Sequence, residues 1–129
     1  VMDFWLRAGC DGFRVDMASS LVKEDPDGAG IRRLWRHVRA WLERKHPEAV
    51  LVSEWGDPAK AIRAGFHIDF MLHFGEPAYQ HLCAPQVSPR PDAPRGFFDA
   101  GGGGDITAFL ENYLQHYRAT KNLGYIALP

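Results

Sequence analysis

The sequence is sparing with the features that announce a function outright. It has two cysteines, Cys10 and Cys83, far apart and with no CxxC spacing. They read as two buried, reduced thiols acting as small apolar side chains. No sign of charge dominates: 15 basic residues stand against 16 acidic ones, for a formal net charge of −1. That balance gives no electrostatic reason to expect nucleic acid or an anionic membrane as a partner. No apolar run approaches the roughly 20 residues that a membrane helix needs. The six histidines show no HExxH or other ligand spacing, so no transition-metal site is expected. The glycine run Gly101 to Gly104 is followed by no GK[ST], so it is not a phosphate loop and reads as a hinge before a helix. There is no internal repeat and no linker that would divide the 129 residues into two domains.

What the chain does have is alternation. Residues 1–8 read as the last turns of a helix, with Phe4, Trp5 and Ala8 on one face and Gly9 as a stop. Residues 11–16 read as a strand, with Gly12, Arg14 and Asp16 on one face and Phe13 and Val15 on the other. Residues 31–45 carry the clearest helical pattern: Ile31, Leu34, Trp35, Val38, Trp41 and Leu42 form a stripe, and Pro47 follows. Residues 50–54 form a second strand, with Val50, Val52 and Glu54 on one face and Leu51, Ser53 and Trp55 on the other. Asp57 and Pro58 then fit the N-cap and first position of a short helix over about 58–64. His67 to Leu72 reads as a third strand, and Ala84 to Gly104 as a long irregular segment rich in proline and glycine. Asp105 fits the cap of a last helix, with Ile106, Phe109, Leu110, Tyr113, Leu114 and Tyr117 as its apolar stripe. Gly124 to Leu128 reads as a fourth strand. Strict alternation of strand and helix implies an α/β fold with a parallel sheet and right-handed crossovers.

Two of these strands end in acids. Gly12-Phe13-Arg14-Val15-Asp16 and Val50-Leu51-Val52-Ser53-Glu54 place carboxylates 38 residues apart on successive strands. Adjacent strands lie roughly 4.8 Å apart. Acids ending neighbouring strands on one face can therefore approach the carboxyl separation of about 5–5.5 Å that a retaining glycosidase uses. Such a pair needs an ionised nucleophile and a protonated acid. Arg14, two residues before Asp16 on the same face, suits the first need, and burial of Glu54 near Val50 and Val52 suits the second. Taken singly, Asp16 is also a plausible helix cap and Glu54 a plausible satisfied buried acid. It is their joint placement that points to chemistry. Trp55 is a candidate sugar-stacking residue, although alternation turns it toward the core. Asp69 and His73 share a face of the third strand and are candidates for the substrate rim.

These residues resemble a known family. Gly12-Phe13-Arg14-Val15-Asp16-Met17-Ala18 looks like the strand-four motif of the α-amylase family, family 13 of the glycoside hydrolases, and Val52-Ser53-Glu54-Trp55 looks like its strand-five motif. The resemblance implies a partial (β/α)₈ (TIM) barrel in which residues 1–129 form the central part, strands four to seven. It implies Asp16 as nucleophile, Glu54 as general acid/base, and Arg14 beside the nucleophile. Substrate contacts are expected from Arg14, Trp55 and His73. The implied substrate is an α-glucan or α-glucoside, cleaved or transferred with retention and with no organic cofactor. The family's third acid, its sugar- and calcium-contacting strand-three motif, and the remaining strands have no counterpart in this segment, so calcium is an expectation only for a longer parent. The Lys-His pair that many starch-cleaving members carry after the nucleophile is replaced by Ser19-Ser20 in the run Met17-Ala18-Ser19-Ser20. That departure leaves glucosidase-like, maltogenic or transglycosylating activity open. Four strands cannot close an eight-stranded barrel. The segment alone is therefore expected to be inactive and to associate through its open sheet edges. The rival readings are another (β/α)₈ enzyme such as an isomerase, and a non-catalytic sugar-binding or scaffold barrel.

Overall fold

The computed structural model describes residues 1–71, 81–82 and 95–127. Helix α1 (Met2–Arg7) leads to β1 (Gly12–Val15), α2 (Ala29–Lys45), β2 (Val50–Ser53), α3 (Pro58–Ala64), β3 (Ile68–Phe70), α4 (Ile106–Thr120) and β4 (Tyr125–Ala127). The strands form one sheet in the order β1-β2-β3-β4. Every pairing is parallel. The expected α/β class with alternating helices and a parallel sheet is what the chain adopts.

The sheet has two unlike faces. Phe13, Val15 and Leu51 turn toward α2 and α3, where they pack with Ile31, Trp35, Leu42, Ala61, Ala64 and Phe66. Leu51, Leu42 and Phe66 are fully buried in this layer, and each such side chain contributes about 1.5–3 kcal/mol. The other face carries Gly12 and Arg14 opposite Val50 and Val52, and Val50 is 36% exposed. A second cluster centres on Met71 and Phe109, with Leu82, Ile106, Tyr113 and Ile126 against it.

Side chains settle the helix ends. The Asp105 carboxylate accepts from the Thr107 and Ala108 N–H groups, and Asp57 accepts from the Lys60 N–H, both as capping residues do. The start of α2 uses a different device. Gly28 occupies the N-cap with φ of 63° and offers no side chain. Asp25 reaches over instead, accepting from the Gly30 and Ile31 N–H groups at 2.9 and 2.8 Å. Those two bonds, that from Gly30 first, hold its carboxyl below the ordinary range. Trp35 ties the preceding loop down, its indole N–H donating to the Ala18 carbonyl at 2.9 Å.

Three expectations are corrected. Cys10 is exposed and free, because it lies in the turn between α1 and β1 and not under a helix. Cys83 lies outside the described residues. In α1 it is Met2 and Leu6 that pack on the core, while Phe4 and Trp5 are 66% and 49% exposed. On α4, Phe109 is buried but Leu110, Leu114 and Tyr117 stand open, so only part of the apolar stripe is covered.

Candidate active site

The register of β1 on β2 builds the site. Arg14 lies opposite Val52, and Glu54 follows two residues further along the same face. The Glu54 N–H donates to the Val15 carbonyl at 2.9 Å, extending the pairing just past the strand and fixing the acid's backbone. Close approach at the start of the pair depends on Gly12, since a Cβ there would collide with the Val50 carbonyl. Beyond Val15 the chain leaves the sheet at Asp16, and Met17 takes φ of 46°, so the turn is sharp.

Asp16 and Glu54 meet on one guanidinium. Arg14 Nη2 lies 3.0 Å from Glu54 Oε2, and Nη1 lies 3.4 Å from Asp16 Oδ1. The two acids differ in exposure. The Asp16 side chain is 74% exposed and that of Glu54 18%. Glu54 Oε2 is buried and, among the described residues, has this ion pair but no hydrogen-bond partner. Arg14 was expected beside Asp16 alone; the register brings Glu54 within its reach as well. The guanidinium offsets the repulsion between two carboxylates held at one rim.

Of the other predicted contacts, Trp55 does not gather there. Trp55 lies on the helix side, partly buried against the core and edge-on to Phe66 with ring centroids 6.3 Å apart. That face is the one alternation gives it, and it turns the ring away from the side of Glu54. His73 lies outside the described residues.

Asp69 also faces the helix side and not the face that carries Arg14 and Glu54, because it pairs with Ser53 in the β2–β3 register. It is fully buried. Its Oδ1 accepts from the Ser53 hydroxyl at 2.6 Å and from the Trp55 N–H at 3.0 Å. Oδ2 is buried with no hydrogen-bond partner among the described residues, though the Phe70 and Asp57 N–H dipoles lie near enough to favour the charge. Burial dominates over these groups and pushes the Asp69 carboxyl up from its ordinary value. Sequence reading missed this residue's role, and the signal that would have revealed it is the register of a three-residue strand.

At the opposite end of the sheet, a hollow of about 390 Å³ is lined by His67, Tyr117, Lys121 and Tyr125 among others. His67 Nδ1 accepts the Leu51 N–H at 2.9 Å, so the ring is neutral at that nitrogen. Burial, aided by the nearby Arg39 charge, lowers its pKa. Among the described residues no group of three His, Cys, Asp or Glu side chains is placed to hold a metal ion. No described helix is long and apolar enough to cross a membrane. Comparison with protein-family models and with curated proteins finds no match for this chain.

Proposed function

We propose that the chain is part of a retaining glycosidase or transglycosylase acting on α-glucosidic bonds, with Asp16 as nucleophile and Glu54 as general acid/base. The observation that carries this reading is Arg14 spanning both carboxylates at the C-terminal rim of adjacent parallel strands. Active sites of (β/α)₈ barrels gather at that rim. In the reaction Asp16 attacks the anomeric carbon while Glu54 gives its proton to the departing oxygen, leaving a covalent glycosyl-enzyme. Glu54 then takes a proton from water, or from a sugar hydroxyl, and that oxygen displaces Asp16 with net retention. For Glu54 to carry a proton, its ion pair with Arg14 must loosen. One flexible side chain makes both contacts, so a swing of the guanidinium wholly onto Asp16 achieves it.

In the same reading the sheet is four consecutive strands of an eight-stranded barrel. The helix-covered face is the outer layer, and the Arg14–Val52 face is the lumen. The exposed apolar surface of Phe4, Trp5, Leu114, Tyr117 and Tyr125 supports neighbours on both flanks. Alone, the segment is silent and self-associates through β1 and β4. The substrate class is an α-glucan or shorter α-glucoside.

The test is Glu54→Gln in the protein that carries this segment. Turnover of α-glucosides falls while oligosaccharide binding persists, and proton NMR of the first wild-type product shows the α anomer. A variant that turns over as wild type, or a wild type that releases the β anomer, refutes the proposal.

A further inference from the structure

Glu54 sits between two residues that share one buried anchor. On its N-terminal side the Ser53 hydroxyl donates to Asp69 Oδ1 at 2.6 Å. On its C-terminal side the Trp55 N–H donates to the same oxygen at 3.0 Å. The Glu54 N–H is itself taken by the Val15 carbonyl at 2.9 Å. The strand ends at Ser53, so beyond that point the β2–β3 ladder no longer fixes the backbone. From here the Val15 carbonyl holds the Glu54 N–H on the β1 side, and on the β3 side a single Asp69 carboxylate oxygen takes the Trp55 N–H while it also holds the Ser53 hydroxyl. We propose that Asp69 is a positioning residue for Glu54: it holds the Ser53 side chain on one side of that acid and the Trp55 peptide N–H on the other, and so sets where its carboxyl stands over the sheet rim.

Asp69 touches no substrate in this arrangement, because it is fully buried on the helix side. Its choice over an apolar residue still needs a reason. A buried acid with one oxygen that finds no hydrogen-bond partner among the described residues is a costly way to fill a core position. A carboxylate oxygen that accepts two donors at once from one strand end is what the position gains. The Ser53 hydroxyl also reaches the Ile68 carbonyl at 3.2 Å, which locks its orientation between the two strands.

The inference rests on the glycosidase reading, and the test keeps the two apart. A misplaced acid harms only bonds that need a proton at the leaving oxygen. In the intact protein, kcat/KM is measured for an ordinary α-glucosidic disaccharide and for an α-glucosyl fluoride, whose leaving group departs unprotonated. Asp69→Ala lowers the first by roughly 10²-fold and leaves the second within about threefold, as misplacement of one catalytic group implies. Asp69→Asn keeps an oxygen for both donors and restores most of the loss. Hydrogen exchange of the peptide spanning 53–57 rises in the Ala variant and not in the Asn variant. Equal losses on both substrates make Asp69 a stabilising residue only and overturn the proposal, as does a full-rate Ala variant. Should Asp69→Ala not fold, Ser53→Ala carries the same comparison, with a smaller selective loss expected and an equal loss on both substrates refuting it. A wild type inert on both substrates overturns the glycosidase reading itself, and the positioning role with it.

Discussion

Ser53 and Glu54 are consecutive residues that meet opposite surroundings. Ser53 turns to the helix side, fully buried, where its hydroxyl reaches the Ile68 carbonyl and Asp69 Oδ1, both on β3. Glu54 turns to the open side, where its partner is an exposed arginine shared with Asp16. The same division runs through the sheet. Leu51 and Asp69 are sealed under helices, while Val50 and Arg14 meet solvent. One face holds the fold together and the other holds the acids of the proposed chemistry. The two are joined at the end of β2, where Asp69 reaches from the packed side to the backbone that carries Glu54.

That division is breakable in graded ways. The largest effect is expected on the open face: Glu54→Gln costs about 10²–10⁴-fold in turnover, with an unchanged unfolding midpoint. On the packed face, Leu51→Ala costs about 2–5 kcal/mol of stability by denaturant unfolding. Its neighbour Val50→Ala costs less than about 1.5 kcal/mol, since that side chain is already one-third open to water. Between the faces, Gly12→Ala pushes a methyl into the Val50 carbonyl and destabilises by about 1–3 kcal/mol, lowering turnover through the Arg14–Glu54 register.

The smallest effects are in pH dependence, and their signs differ. The folded-state pKa of His67 is lowered, so its contribution to stability is intact above 6.5 and is lost as pH falls from there through the depressed folded value. His67→Gln flattens that acid limb in a series of melting temperatures. The folded-state pKa of Asp69 is raised, by burial against the opposing Ser53 hydroxyl and the Trp55, Phe70 and Asp57 N–H groups. Its contribution is therefore full below 3.8 and is lost as pH rises through the raised folded value. Asp69→Asn removes that alkaline-going loss, and an unaltered profile would contradict the buried-charge account.

Much of this was legible in the residues. The stripe of Ile31, Trp35 and Leu42 specifies α2, and the alternation of Leu51 and Ser53 against Val50 and Val52 specifies which face of β2 is buried. Asp57 and Asp105 announce their helices because each is followed by the N–H groups it caps. Asp25 did not announce itself, since it caps α2 across a left-handed glycine from outside the usual position. Asp69 was open between a rim contact and an ordinary polar position because a three-residue strand has too little alternation to fix its own phase; only pairing with Ser53 does so. Arg14 was placed correctly on its strand, but its reach to Glu54 follows from register, which local pattern does not encode.

The central claim is that Asp16 attacks the sugar while Glu54 handles the proton. Its most direct test is mass spectrometry of the intact protein treated with a mechanism-based α-glucosyl inactivator, followed by peptide mapping. The account predicts one glucosyl adduct, carried by Asp16 and absent from Asp16→Asn. An adduct on another carboxylate, or sustained turnover with no adduct at all, would contradict it.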